Sequence, residues 1–274
     1  MRRILREEIS RALCGRGMKL SLVVGSIISL AHVLQYGLAN HRMLQSMDFT
    51  EVSIAHPLPA IEGWMAGNTY NLESFIFFFL LPLLATLPFG ISYFDENLNG
   101  VLHNIFMRVP RKQYFMAKYV AVFLSGGMAI VIPLLVNLLL TMVLLPNHAG
   151  TNILSESLIG AEKIGYEVYF SHPCIYLGGY FILDFLLGGV FACVALVGSY
   201  VSAHRIVNAV IPFFLQLVLY VIFNIAGKPE YTSVYFAIAG YGICAIWLPL
   251  AYILIMGIVS FIIFLKAGIK CDVY

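Results

Sequence analysis

The chain has 274 residues, 61% of them hydrophobic and 11% charged, and a mean hydropathy of +0.89. A soluble globular domain carries about a quarter charged residues, so this composition excludes that class and points to a polytopic membrane protein. The net charge of +2 comes with no basic patch interleaved with aromatics, and the five cysteines are too scattered for a disulfide framework or metal cluster, so no nucleic-acid partner and no resident metal are expected.

The N-terminal stretch 1–19 mixes Ile4, Leu5, Ile9 and Leu13 with Arg2, Arg3, Arg6, Glu7, Glu8 and Arg11. That pattern suits an amphipathic helix lying in the membrane interface, with a plain basic tail as the alternative. It runs into an apolar stretch with no small-residue cleavage site, so no signal peptide is expected. About 20 apolar residues cross the hydrocarbon core, and six stretches reach that length: residues 20–38, 74–93 with Pro82 and Pro88, 115–145 with Pro133, 176–200, 206–227 with Pro212, and 247–265. The apolar region 231–265 is too long for one span. Its first part, 231–245, rich in Gly and Tyr, is expected to be a re-entrant outer segment packed on protein, a candidate gate; the alternative is one long tilted helix. The predicted fold is therefore all-α and integral to the membrane, a single transmembrane domain with six spans.

The charges are sorted by these spans. Segments 1–19, 94–118, 201–207 and 266–274 hold 13 of the 16 Lys and Arg, and only Arg42, Lys163 and Lys228 fall outside them. Most acidic residues lie in the opposite loops, Glu62, Glu73, Glu156 and Glu167 among them. By the positive-inside rule both termini are cytoplasmic and the number of spans is even.

The inner segment from Tyr93 to Lys118 has the most internal structure. Asp95 or Asn97 can cap a short helix, Leu98, Leu102, Ile105 and Phe106 recur at helical spacing, and Pro110 ends it. A short helix parallel to the membrane fits, as does a topogenic loop resting on headgroups. Within the spans, Asp184 is the one acid, and such a residue is a functional candidate by default. Asp184 and Asn137 each lie about eight residues, roughly 12 Å, from the outer ends of their helices, close enough in depth for a hydrogen bond; the alternatives for Asp184 are a protonated carboxyl, a partner-subunit contact or a position facing water. His32, Asn208, Gln216 and Asn224 read as interhelical hydrogen-bond partners.

With its N-terminal interface helix, Cys14-Gly15-Arg16-Gly17-Met18-Lys19 at the entry to the first span, the inner loop closing on Val109-Pro110-Arg111-Lys112, and Lys118, the chain resembles the membrane subunits of type-2 ABC exporters, including small bacterial permeases for lantibiotic and peptide immunity or export. The resemblance implies that the inner loop is a coupling helix, with Glu96, Leu98, Leu102, Ile105, Phe106 and Arg108 docking on a separate ABC ATPase. It implies a second six-span permease, identical or not, and a place in the bacterial cytoplasmic membrane. The expected substrate is amphipathic or hydrophobic, small antimicrobial peptides first. ATP and Mg would belong to the partner, because nothing in the chain reads as a phosphate-binding G-x-x-x-x-G-K-[ST] loop. Leu124-Ser125-Gly126-Gly127-Met128 resembles an ATPase signature, but inside a span its small residues serve to let another helix approach. No catalytic residue or cofactor site is expected. A secondary transporter is the first alternative. An intramembrane enzyme is the second: Glu7-Glu8 resembles the paired acids of membrane proteases, but precedes the first span.

Overall fold

The computed structural model describes residues 2–46, 58–67, 71–147, 159, 163–239, 241 and 245–270. Among these residues all regular structure is helical, as expected where the backbone must satisfy its own hydrogen bonds away from water. Five helices are long and apolar enough to cross a membrane: Arg16–Ser46, Arg111–Leu144, Pro173–Gly198, Arg205–Ile225 and Trp247–Ile269. The chain is a multi-pass membrane protein.

Helix α1 (Arg2–Cys14) turns Glu8 and Ala12 inward and leaves Arg2, Arg3 and Arg6 exposed. After Gly15 the chain enters α2 (Arg16–His32), which runs through a π-helical turn at Val33–Gly37 into α3 (Leu38–Ser46). The first membrane helix therefore starts before residue 20 and continues well past residue 38. Next come α4 (Ala60–Gly63) and α5 (Leu72–Thr86).

The expected span at 74–93 is not one helix. At 15 residues α5 covers only about 22 Å of a core about 30 Å thick. Pro88 has no N–H, and its ring disfavours the carbonyl four residues back, so the helix gives way to turns over 87–91 before α6 (Ser92–Leu98) begins. Pro82, inside α5, is tolerated for another reason. The carbonyl of Phe78, which its missing N–H leaves free, accepts from Gln216 Nε2 at 3.2 Å, and Phe79 O accepts at 3.0 Å.

Helix α7 (Val101–Phe106) is followed by α8 (Arg111–Leu144), the central helix, which packs against α1, α2, α5 and α10. Short α9 (Tyr166–Ser171) leads into α10 (Pro173–Gly198), then α11 (Arg205–Ile225). The region after it is no long tilted helix: a 3-10 turn (Pro229–Tyr231), α12 (Ser233–Phe236) and further turns precede α13 (Trp247–Lys270). Val234 to Ala239 are buried, and Ser233 Oγ donates to Gln216 Oε1 at 3.1 Å, so Gln216 joins this segment to α5, the helix that contains Pro82. Residues 240 and 242–244, and with them Cys244, lie outside the described residues.

Helices α8 and α10 cross closely. A Cβ placed on Gly126 would sit 2.4 Å from Ala192 Cβ and 2.8 Å from Gly188 O, so here the small residues of the Leu124–Met128 stretch admit the neighbouring helix. One end of the bundle gathers Arg11, Asp95, Glu96, Lys118 and Arg205 through ion pairs. At the other, Ala60 N donates to Pro146 O at 3.0 Å, Ala239 N to Ala66 O at 2.7 Å, and Tyr169 OH to Glu62 Oε1 at 2.7 Å.

Two native cysteines test sidedness. Cys14 and Cys174 are both exposed, and the orientation expected from charge sorting has them on opposite faces of the membrane. A chain whose only cysteine is Cys174 should react with an impermeant maleimide on intact cells. One whose only cysteine is Cys14 should react only after permeabilisation, and labelling of Cys14 on intact cells contradicts the orientation. Glu62 is a poor reporter because it is buried, and Glu156 lies outside the described residues.

Candidate functional site

The segment expected to couple to a motor is held by a buried ionic cluster. Lys118, on the first turns of α8 and fully buried, places Nζ 2.9 Å from Glu8 Oε2 and 2.7 Å from Glu96 Oε1. Arg11 reaches the same two acids, Nη1 to Glu8 Oε1 at 2.9 Å and Nη2 to Glu96 Oε1 at 2.6 Å. The Tyr114 hydroxyl donates to Glu96 Oε2. Phe89, from the turn that ends α5, lies against both cations, its centroid 4.3 Å from Lys118 Nζ and 5.7 Å from Arg11 Cζ. Four elements, α1, the 87–91 turn, α6 and α8, thus meet at two acids and two bases. Burial by itself would raise the Glu96 pKa, but the charge and hydrogen bond of Lys118, the Tyr114 hydroxyl and Arg11 outweigh it and hold the carboxyl below its usual range.

This arrangement divides the six expected docking residues. Glu96 is buried and its oxygens are engaged in the cluster, and Leu102 is fully buried, so neither can dock on a partner. Ile105 and Phe106 are half-buried, and the Phe106 ring packs against Tyr114 and Phe115 at 5.5 Å and 5.9 Å. Leu98 and Arg108 are exposed, and Val101 and Met107, missed from sequence, join them; Leu98 is 72% and Met107 68% exposed. The cause is Gly100. Its φ of +68° is a conformation that Gly adopts readily, and it separates α6 from α7, so Leu98 and Leu102 do not share one helical face.

The Asp184–Asn137 hydrogen bond that their depth allows is not made. Asn137 Oδ1 accepts from Met65 N at 2.8 Å, and its Nδ2 donates to Ser29 O at 3.1 Å and lies 3.1 Å from His32 Nδ1. The other nitrogen of His32 lies 3.0 Å from the Asn71 amide. Asn137 therefore ties α2, α8 and the 58–67 segment together. Asp184 is fully buried, and neither carboxylate oxygen has a hydrogen-bond partner among the described residues.

Of the other intramembrane amides, Gln216 bridges to α5 as above. Asn208 bonds locally to Ser202 O at 3.1 Å, and Asn224 bonds Tyr220 O at 2.7 Å and accepts from Tyr235 OH at 3.4 Å. Glu7 pairs with Arg3 at 3.1 Å and Glu8 belongs to the cluster. No group of three or more His, Cys, Asp or Glu side chains among the described residues could hold a metal ion.

Two clefts among the described residues bear on the site. One, of about 580 Å³, lies beside the ionic cluster between the starts of α2 and α11. The other, of about 310 Å³, is an apolar groove lined by Val168, Tyr176, Leu183, Leu186, Pro249 and Leu250.

Lys118 and Glu8 were missed as site residues from the sequence. The available signal was an acid three residues before Arg11 on a basic helix, together with a lysine flanked by apolar residues on both sides. No protein-family model matches the chain, and no curated protein matches it.

Proposed function

We propose that this chain is the permease subunit of an ABC exporter of the bacterial cytoplasmic membrane, with both termini cytoplasmic. It pairs with a second permease and is driven by a separate ATPase that holds ATP and Mg. The observation that carries this reading is the inner segment. It is anchored to α1 and α8 by the Glu8–Arg11–Glu96–Lys118 cluster and presents Leu98, Val101, Met107 and Arg108 outward. A rigid mount with an exposed apolar tip and a basic rim suits a docking element, because apolar anchors supply affinity and rim charges supply register. In this reading α5 and the turns that follow it, up to Tyr93, make the second of six crossings, and the rest of α6 lies in the inner segment. The buried 233–239 segment closes the outer end, and the apolar groove beside α10 receives part of an amphipathic substrate such as an antimicrobial peptide.

A second reading, an ion-coupled transporter, is favoured by Asp184 alone, a fully buried carboxyl without a partner among the described residues. Inside-out vesicles separate the two. Uptake of a labelled cationic amphipathic peptide should require ATP, stop with vanadate, survive a protonophore and persist in Asp184→Asn. Uptake without ATP that collapses with the protonophore and in Asp184→Asn would establish the second reading instead.

A further inference from the structure

We propose that the cleft beside the ionic cluster is a binding site for a phosphate-bearing anion, supplied by the headgroup of an anionic membrane phospholipid. The site exists because α5 stops short. After Thr86 the chain passes through turns at Leu87, Pro88, Phe89 and Ile91, and these residues line a cleft together with the start of α2 and the start of α11. Its polar lining is basic in excess. Arg205 is paired with Asp95, Nε to Oδ1 at 2.9 Å and Nη2 to Oδ2 at 3.1 Å, and Arg11 is shared between Glu8 and Glu96. Arg16 lines the same cleft with no ion pair or hydrogen bond among the described residues. Both acids of the lining are therefore already neutralised, and Arg16 is a guanidinium in surplus, the group best shaped to take a phosphate.

Two further observations point the same way. Gly15 caps α2 without a side-chain hydrogen bond, so the positive end of a 17-residue helix forms one wall. Ser92, 9% exposed, also lines the cleft, and its buried Oγ has no hydrogen-bond partner among the described residues, a donor that a bound oxyanion would satisfy.

The surroundings favour a lipid over a soluble phosphate. Following the lining residues along each helix, exposed Leu20 and Val23 continue α2 and exposed Ile206 and Val207 continue α11, an apolar surface against which acyl chains can lie while the headgroup enters. Basic pockets between membrane helices on the cytoplasmic side have this character. The inference does not depend on what drives transport.

Native mass spectrometry of the full chain in detergent, titrated with phosphatidylglycerol or phosphatidylcholine, tests it. The wild type should bind phosphatidylglycerol preferentially. Arg16→Gln should weaken that binding about tenfold and Ser92→Ala about threefold, the usual worth of a charged and a neutral hydrogen bond. Ser92→Ala removes no existing bond and should fold normally, so it stands as a test even if Arg16→Gln does not. Arg3→Gln, on the exposed side of α1, is the control for general surface charge and should change nothing. Equal binding of the two lipids, or a loss in Arg3→Gln equal to that in Arg16→Gln, overturns the site. Displacement of phosphatidylglycerol by millimolar inorganic phosphate overturns the lipid assignment.

Discussion

Replacing Lys118 by Met should destabilise the protein by about 3–5 kcal/mol, because removing one member of a buried ion pair strands the charges left behind. Glu8 and Glu96 would then share Arg11, which is half exposed, in place of a cation with no exposure at all. The change is expected as a large drop in the thermal midpoint in detergent, together with release of α1 to proteolysis. Adding Glu8→Gln to Lys118→Met restores the charge balance and should recover much of the loss, and a double variant no more stable than the single one would show that the charges are not coupled. Acid should act on the same cluster. Because the folded Glu96 pKa is depressed, its stabilising contribution is complete above the ordinary glutamate value of about 4.3. It is lost as pH falls below that value through the folded one. Lys118→Met should show less of this acid sensitivity.

The α8–α10 crossing should be the next most sensitive place. Gly126→Ala puts a methyl 2.4 Å from Ala192 Cβ, 2.8 Å from Gly188 O and 3.2 Å from Ala85 O. Two of these neighbours are backbone atoms that cannot swing aside, so overpacking of about 1–3 kcal/mol should exceed the helix-propensity gain of up to about 1 kcal/mol. Gly178→Ala on α10 meets nothing within 4 Å and should be neutral or slightly stabilising. Equal melting temperatures for the two variants would mean that the helices do not cross at Gly126.

What could be read from the sequence follows from the range of the forces involved. Hydropathy is local, so the apolar runs that became α8, α10, α11 and α13 were legible, as was the amphipathic α1. The break after Thr86 was harder to read, because Pro82, Pro88 and Pro133 look alike in sequence. Pro82 stays inside its helix with Gln216, more than 130 residues away, bonding the freed carbonyl, whereas α5 ends before Pro88. The coupling stripe was misread for a geometric reason: periodicity assumes one continuous helix, and the left-handed turn at Gly100 divides it, burying Leu102 while exposing Leu98. The depth estimate for Asp184 and Asn137 carried no information about which way each points around its helix. Asn137 is taken by Ser29, His32 and Met65. The Glu8–Lys118 pairing joins residues 110 apart, beyond any local pattern.

The docking claim is tested most directly by the exposed tip of the inner segment. Leu98→Asp combined with Met107→Asp alters two side chains that are 72% and 68% exposed and leaves the ionic cluster and Leu102 untouched. The variant should therefore insert and melt like the wild type. With an affinity tag on the chain and gentle extraction from its native membrane, the wild type should copurify with a stoichiometric ATP-hydrolysing subunit and vanadate-sensitive activity, and the double variant should lose both. A wild-type preparation without any such activity, or a double variant that retains the subunit at the wild-type ratio, would contradict the assignment of this chain as an ATP-driven permease coupled through Leu98 and Met107.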